Sequence, residues 1–310
     1  MNFLRCKLTL LLFLFLSMLA HATSQKTYVS VNGNDGNASV SCPATAPCRS
    51  FGAALGVTSP YGEVVAMDSG DYAPVTITQS VTLKAAPGVD ATIFSSFGDG
   101  ITITVGTADM VILRGLNVNG LYFSWGSGIR FTSGGALTIE NCNITHFEDH
   151  GITVQAGGMV YIKDTEVADT SIGIFLQSLS GVIHATIDRV HLEHNNYAGL
   201  YAGRNSQSTI RNSVLADNSY YGITAGDFLG TAELNVEDCL IERSNYGSGI
   251  FASNGGYGGS GSATVRVSHS AIVDNSTGLS SFSASLLSYG NNRLAGNGID
   301  GAFTGLISLQ

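Results

Sequence analysis

A short apolar strand introduced by glycine returns every 20 to 29 residues, at Gly100, Gly128, Gly151, Gly173, Gly199, Gly222, Gly249, Gly278 and Gly298. Self-similarity at such a period marks stacked units, none of which can bury its apolar face alone. The clearest unit is GALTIENCNITHFEDHGITVQAG, Gly135 to Gly157. Unequal intervals fit coils of equal cross-section joined by loops of different length.

A second signal is independent of the glycines. The strand leading into each bend reads apolar–charged–polar, and its charged column runs Arg114, Glu140, Lys163, Asp188, Arg211, Glu237. The sign alternates at every step. Residues stacked at the ~4.8 Å spacing of neighbouring strands would each have two opposite neighbours. Cross-strand pairs contribute up to roughly 1 kcal/mol, and like charges cost as much. Parallel, in-register stacking explains the column. No long 3.6-periodic apolar pattern supplies helical crossovers after residue 61. The solution is an all-β, right-handed parallel β-helix of roughly ten coils, three short strands to a coil, with a small N-terminal cap.

The organisation expected is a signal peptide over 1–22, a cap over 23–61 and the coil over 62–310. Arg5 and Lys7 precede the apolar run Leu8–Leu19, and Ala20-His21-Ala22 is a small-x-small exit. The run is too short to span a bilayer, which takes about 20 residues. A secreted or cell-envelope protein follows, with no membrane span after cleavage. Without Arg5 and Lys7 the 14 basic residues fall to 12 against 23 acidic, a net charge of −11. That repels nucleic acid. Cys42 and Cys48 bracket five residues with Pro43 and Pro47, and in an oxidising compartment they pair as a disulfide. Cys142 and Cys239 fall four coils apart, beyond the reach of a disulfide, and read as buried free thiols. No cofactor is indicated; calcium at the Asn32–Asn37 turn is an unsupported option beside a plain turn.

GALTIENCNITHFEDHGITV and SATVRVSHSAIVDNSTGLS resemble repeats of the pectate-lyase-like, right-handed β-helix superfamily. More narrowly, TYVSVNGND…CRSF, GEVVAMDSGDYAPVTI and the closing SYGNN…GNG…DG follow the order seen in bacterial secreted β-helix-repeat proteins. The resemblance implies the fold. The scaffold hosts lyases, hydrolases, esterases, epimerases and binders, so it implies no single activity. The motif sets of polygalacturonase-like and pectin-esterase-like enzymes do not occur here. A pectate-lyase-like Arg-x-Pro-x-x-Arg segment is also missing, since no proline follows Pro87.

Two sets of candidate residues remain. A second alternating column, His146, Asp169, His194, Asp217, Arg243, Asp274, places imidazoles beside carboxylates and could supply an acid–base pair. Its densest part, with Asp149, His150 and Glu193, gives the catalytic candidates Asp149, His150, His146, Asp169, Glu193 and His194. The same pattern also describes a self-satisfied structural ladder. In the second set, Tyr197, Tyr220, Tyr221 and Tyr246 precede the anchor glycine in three successive coils, and Tyr122 and Trp125 lie before Gly128. An aromatic stripe along a rod suits an extended polymer; packing among the rings is the plainer alternative. Asn195, Asn218 and Asn275, with Asn245 and Asn297 near register, read as a structural stack. The two functions expected are a monomeric binder of extracellular polysaccharide or cell-surface glycan, and a polysaccharide lyase or glycoside hydrolase.

Overall fold

The computed structural model describes residues 25–255 and 260–308 of the 310. The expected signal segment lies outside the described residues. Among the described residues the chain winds through three parallel sheets of twelve, ten and nine strands, in strict rotation from Gly62–Ala66 to Arg293–Ala295. One turn shows the pattern: Ala136–Glu140 in the first sheet, Asn143–Phe147 in the second, His150–Val154 in the third. Every strand pairs with its equivalent one turn away. The third sheet sets nine complete turns, where the sequence suggested about ten.

Period-two alternation places the core inside the coil. Leu137 and Ile139 are buried while Thr138 and Glu140 face outward, and the same choice recurs at each rung. Register in the first sheet matches the charge column: Arg114 stands on Glu140, Glu140 on Lys163, Lys163 on Asp188, Asp188 on Arg211 and Arg211 on Glu237. The ion pairs are not confined to that line. Arg114 meets Glu140 at 2.7 Å and Arg211 meets Asp188 at 3.3 Å. Lys163 turns sideways to Asp164 at 3.5 Å, and Asp188 also takes Arg189 at 2.7 Å.

Two tight corners explain where those neighbours come from. Between the first and second sheets one residue per turn is left-handed: Asn141, Asp164, Arg189, Asn212, Asp238 and His269, with φ from 47° to 52°. The next residue is Cys142, Thr165, Val190, Ser213, Cys239 or Ser270. At every one of these but Val190 the hydroxyl or thiol donates to the carbonyl two residues back, as from Thr165 to Lys163 at 2.8 Å and from Cys239 to Glu237 at 3.1 Å. The same atoms accept backbone N–H groups from the preceding turn, as from Val190 to Ser213 and from Cys239 to Ser270. The free thiols therefore sit in a hydroxyl ladder rather than acting only as apolar filler. Burial raises Cys142 to about 11 and Cys239 to about 12, so both stay protonated.

The corner between the second and third sheets is left-handed at His146, Asp169, His194, Asp217, Arg243 and Asp274. That is the second alternating column, and its charges fall at bends. The residue after each includes Asn195, Asn218 and Asn275, all buried. Asn218 Oδ1 accepts from Asn195 N at 3.1 Å and Asn195 Nδ2 at 2.9 Å, while its Nδ2 donates to Leu192 O at 2.8 Å. Asn297 continues the ladder beneath Asn275. Asn245 does not belong to it: Ser244 takes the rung, and its buried Oγ has no partner.

The anchor glycine stands just past this corner, where backbone and amide leave no room for a side chain. A Cβ on Gly151 would lie 2.7 Å from Gly173 O, and one on Gly249 would lie 2.8 Å from Asn275 Nδ2. Glycine is required here for close approach, not for a special φ. The column ends at Gly278, which faces Asp300; Gly298 lies outside it because only a single bridge, Thr277 to Ile299, continues the third sheet.

At the N-terminal end, Lys26–Val29 pairs with Gly62–Ala66. A short helix, Phe51–Leu55, is capped by Ser50, whose side chain accepts from Ala53 N. Its buried Phe51 packs on Tyr72 at 5.1 Å. Cys42 and Cys48 form a disulfide. Among the described residues no helix is long and apolar enough to cross a membrane.

Candidate functional site

Corner chemistry accounts for much of the first candidate set. His146 Nε2 lies 3.6 Å from Asp169, and Arg243 grips Asp217 with two contacts of 2.7 Å. The guanidinium of Arg243 holds the Asp217 carboxyl below its ordinary range. Glu193 stands instead on the outer face of the second sheet, with His191 as its partner at 3.3 Å. His194 lines a small cavity of about 220 Å³ with Phe147, Glu148, Asp169 and Asn196.

Asp149 and His150 are placed elsewhere, on the outward face of the third sheet, and both have partners. Arg130 donates to Asp99 at 2.8 and 3.0 Å and to Asp149 at 3.1 Å. His150 Nε2 lies 3.3 Å from Asp149, and its Nδ1 lies 3.0 Å from Thr153 Oγ1. Thr153 is 2.7 Å from Ser127, and both hydroxyls are fully buried. Burial lowers the His150 pKa, an effect Asp149 opposes and Arg130 reinforces. A neutral ring with Nε2–H toward Asp149 leaves Nδ1 to accept from Thr153. Adjacent residues in sequence hid this, because the partners come from three different turns.

The same face continues as a run of rings. Its central outward column is Thr102, Arg130, Thr153, Phe175, Tyr201, Thr224, Phe251, Ser280. Three residues earlier on each strand lies a second column: His150, Ile172, Ala198, Tyr221, Ser248. The columns trade bulk. At Thr153 and Thr224 the second column supplies a ring that leans onto the next rung: His150 stacks on Phe175 at 4.5 Å and 7°, and Tyr221 stacks on Phe251 at 5.2 Å and 18°. Phe175 and Tyr201 are 4.9 Å apart. Tyr197, Tyr220 and Tyr246 extend the cluster toward the corner, with Tyr197 5.4 Å from Tyr221 and Tyr246 5.8 Å from Tyr220.

One interruption opens a slot. Tyr201 and Phe251 flank Thr224 two rungs apart, ~9.6 Å by strand spacing. They enclose a cavity of about 370 Å³ with Tyr197, Gly226, Asp227 and Phe228. Asp227 is held by Arg204 at 3.2 Å and Gln177 at 2.9 Å, which fixes the loop forming one wall. Phe175, Tyr201 and Phe251 were missed in the sequence because they follow the anchor glycine, not precede it. The signal was the complementary spacing His150-x-x-Thr153 and Tyr221-x-x-Thr224. Trp125 is highly exposed, and Tyr122 belongs to the strand Leu116–Ser124 of the second sheet, not to a loop.

A profile for the family described as "Right handed beta helix region" matches residues 75–190 and 127–306, and the chain belongs to that family. No curated protein matches it in sequence. Among solved structures it is similar to a pectate lyase, Pel9A, at 16% identity and a TM-score of 0.57, over 94% of this chain and 74% of that one. The A-module of the Azotobacter vinelandii mannuronan C-5 epimerase AlgE4 aligns at 11% identity and 0.44, over 80% and 91%. A rhamnogalacturonan lyase aligns at 11% and 0.42, over 93% and 90%. The likeness to the pectate lyase speaks to the fold alone.

Proposed function

We propose that this is a secreted β-helix protein that binds polysaccharide without turning it over. The observation that carries this is the ring-lined outward face of the third sheet, with its slot at Thr224. Aromatic planes pack on the C–H faces of sugar rings, and the face runs along the coil axis as an extended polymer does. The Cys42–Cys48 disulfide, the expected signal segment and the carbohydrate-active proteins of like fold support an extracellular setting.

The catalytic alternative rests on His150, kept neutral by burial and held between Asp149 and Thr153. Binding is the better reading because the reactive groups are already committed. Arg130 is spent on two carboxylates, and the Ser127 and Thr153 hydroxyls are sealed from solvent. Retardation on gels carrying soluble glycans tests the proposal: Tyr201→Ala and Phe251→Ala should each weaken retention about fivefold, the worth of roughly 1 kcal/mol per ring. Equal retention of both variants refutes the site. Release of reducing or unsaturated ends by the parent protein, lost in His150→Gln, would establish the enzyme instead.

A further inference from the structure

A roomy cavity lies away from the aromatic face. It is a groove of about 680 Å³ at the corner between the first and second sheets, lined on five successive turns from Gly88–Asp90 to Arg189 and His191. Five rungs span about 19 Å at the strand spacing, so the groove is elongated along the axis. Its floor is a column of planar polar groups, one per turn: Asn117, Asn143, Glu166 and His191, in direct register.

We propose that this groove is a second binding site, for a neutral, hydroxyl-rich glycan chain lying along the axis. Two observations converge. Asn143 Oδ1 is shielded from solvent and has no donor, an arrangement that costs roughly 1–3 kcal/mol until one is supplied. A sugar hydroxyl in the groove supplies it after a small rotation of the amide. The floor repeats amide, amide, carboxylate and imidazole at one group per rung, a pattern that pairs with hydroxyls and offers no apolar pocket for a peptide side chain.

Charge then selects the class of glycan. Asp90, Asp164 and Glu166 line the groove. Its one arginine, Arg189, is bound to Asp164 at 2.7 and 3.1 Å and to Asp188 at 2.7 Å. Lys163 is likewise turned to Asp164. A polyuronate would bring carboxylates against carboxylates with no free cation in the lining to receive them. A neutral chain meets no such penalty.

The experiment uses the full secreted chain, in buffer with and without calcium. Isothermal titration is run with neutral hexaoses of glucose, xylose and mannose, with trigalacturonate and with spermine. Backbone and side-chain NMR shifts at Asn143 and His191 locate any binding. The expected result is binding of a neutral hexaose that shifts both residues and persists in Tyr201→Ala/Phe251→Ala. Asn143→Leu should then weaken it at least tenfold while the melting temperature holds or rises, since an unpaired acceptor has been removed. Glu166→Gln should weaken it less and should not create binding of trigalacturonate. Preferential binding of trigalacturonate or spermine, unaltered binding in Asn143→Leu, or no shift at Asn143 and His191 with any ligand would overturn the proposal. None of these results bears on the third-sheet face, which the aromatic variants test separately.

Discussion

Two gatherings of titratable residues in this rod, the corner after the second sheet and the outward face of the third, do different things. At the corner, His146, Asp169, His194, Asp217 and Arg243 repeat once per turn in the same left-handed conformation. His146 faces Asp169 and Arg243 grips Asp217 across adjacent turns, so the pattern is periodic. On the third sheet, Asp99, Arg130, Asp149 and His150 form a single cluster that does not recur, followed by rings and then by a slot. Periodic chemistry along a solenoid marks what every turn needs. A break in the period marks what one region does.

Substitutions can break this contrast, and the largest effect belongs to the periodic part. Gly151→Ala forces a methyl against Gly173 O and the Val167 side chain, and overpacking of that kind costs about 3 kcal/mol. A urea melt should show it. Asn218→Ala removes the acceptor for two Asn195 donors and strands Leu192 O, for a loss of about 2–3 kcal/mol. Ser244→Asn works the other way. It restores the missing rung opposite Gly222, where no Cβ obstructs an amide, and should add about 1 kcal/mol.

Smaller effects separate corner charge from face charge. Arg243→Ala should cost under about 1 kcal/mol, because both partners are partly exposed, and should leave glycan binding unchanged. His150 provides a pH test. Its folded pKa lies below the ordinary 6.5, so the folded state resists protonation more than the unfolded chain does. Its contribution is complete above pH 6.5 and is lost as pH falls from there through the folded value. Melts of the parent and His150→Gln should converge in pH slope above that point and diverge below it. Identical slopes throughout would remove His150 from the buried network.

Much of the fold was legible because stacking converts sequence period directly into spatial neighbours. The alternation from Arg114 to Glu237 predicted the register of the first sheet, and the spacing of Cys142 and Cys239 predicted that they stay unpaired. The corners were less legible. A left-handed φ at His146 or Asp169 has no signature beyond residue type, so a bend column read as an acid–base array. The candidate site was only half visible. Tyr197, Tyr220, Tyr221 and Tyr246 were found by their distance before glycine, but Phe175, Tyr201 and Phe251 look in sequence like ordinary strand residues. Their grouping depends on which side of the third sheet they face.

The central claim is that the ring-lined face, not the charged corner, holds glycan. It is tested most directly by measuring glycan affinity for two double variants side by side, Tyr201→Ala/Phe251→Ala and His146→Ala/Asp169→Ala, against a polymer retained by the parent. With the groove saturated by hexaose, the account predicts a loss of at least tenfold in the first and no change in the second. Loss of binding in the corner variant with the ring variant unaffected would contradict it.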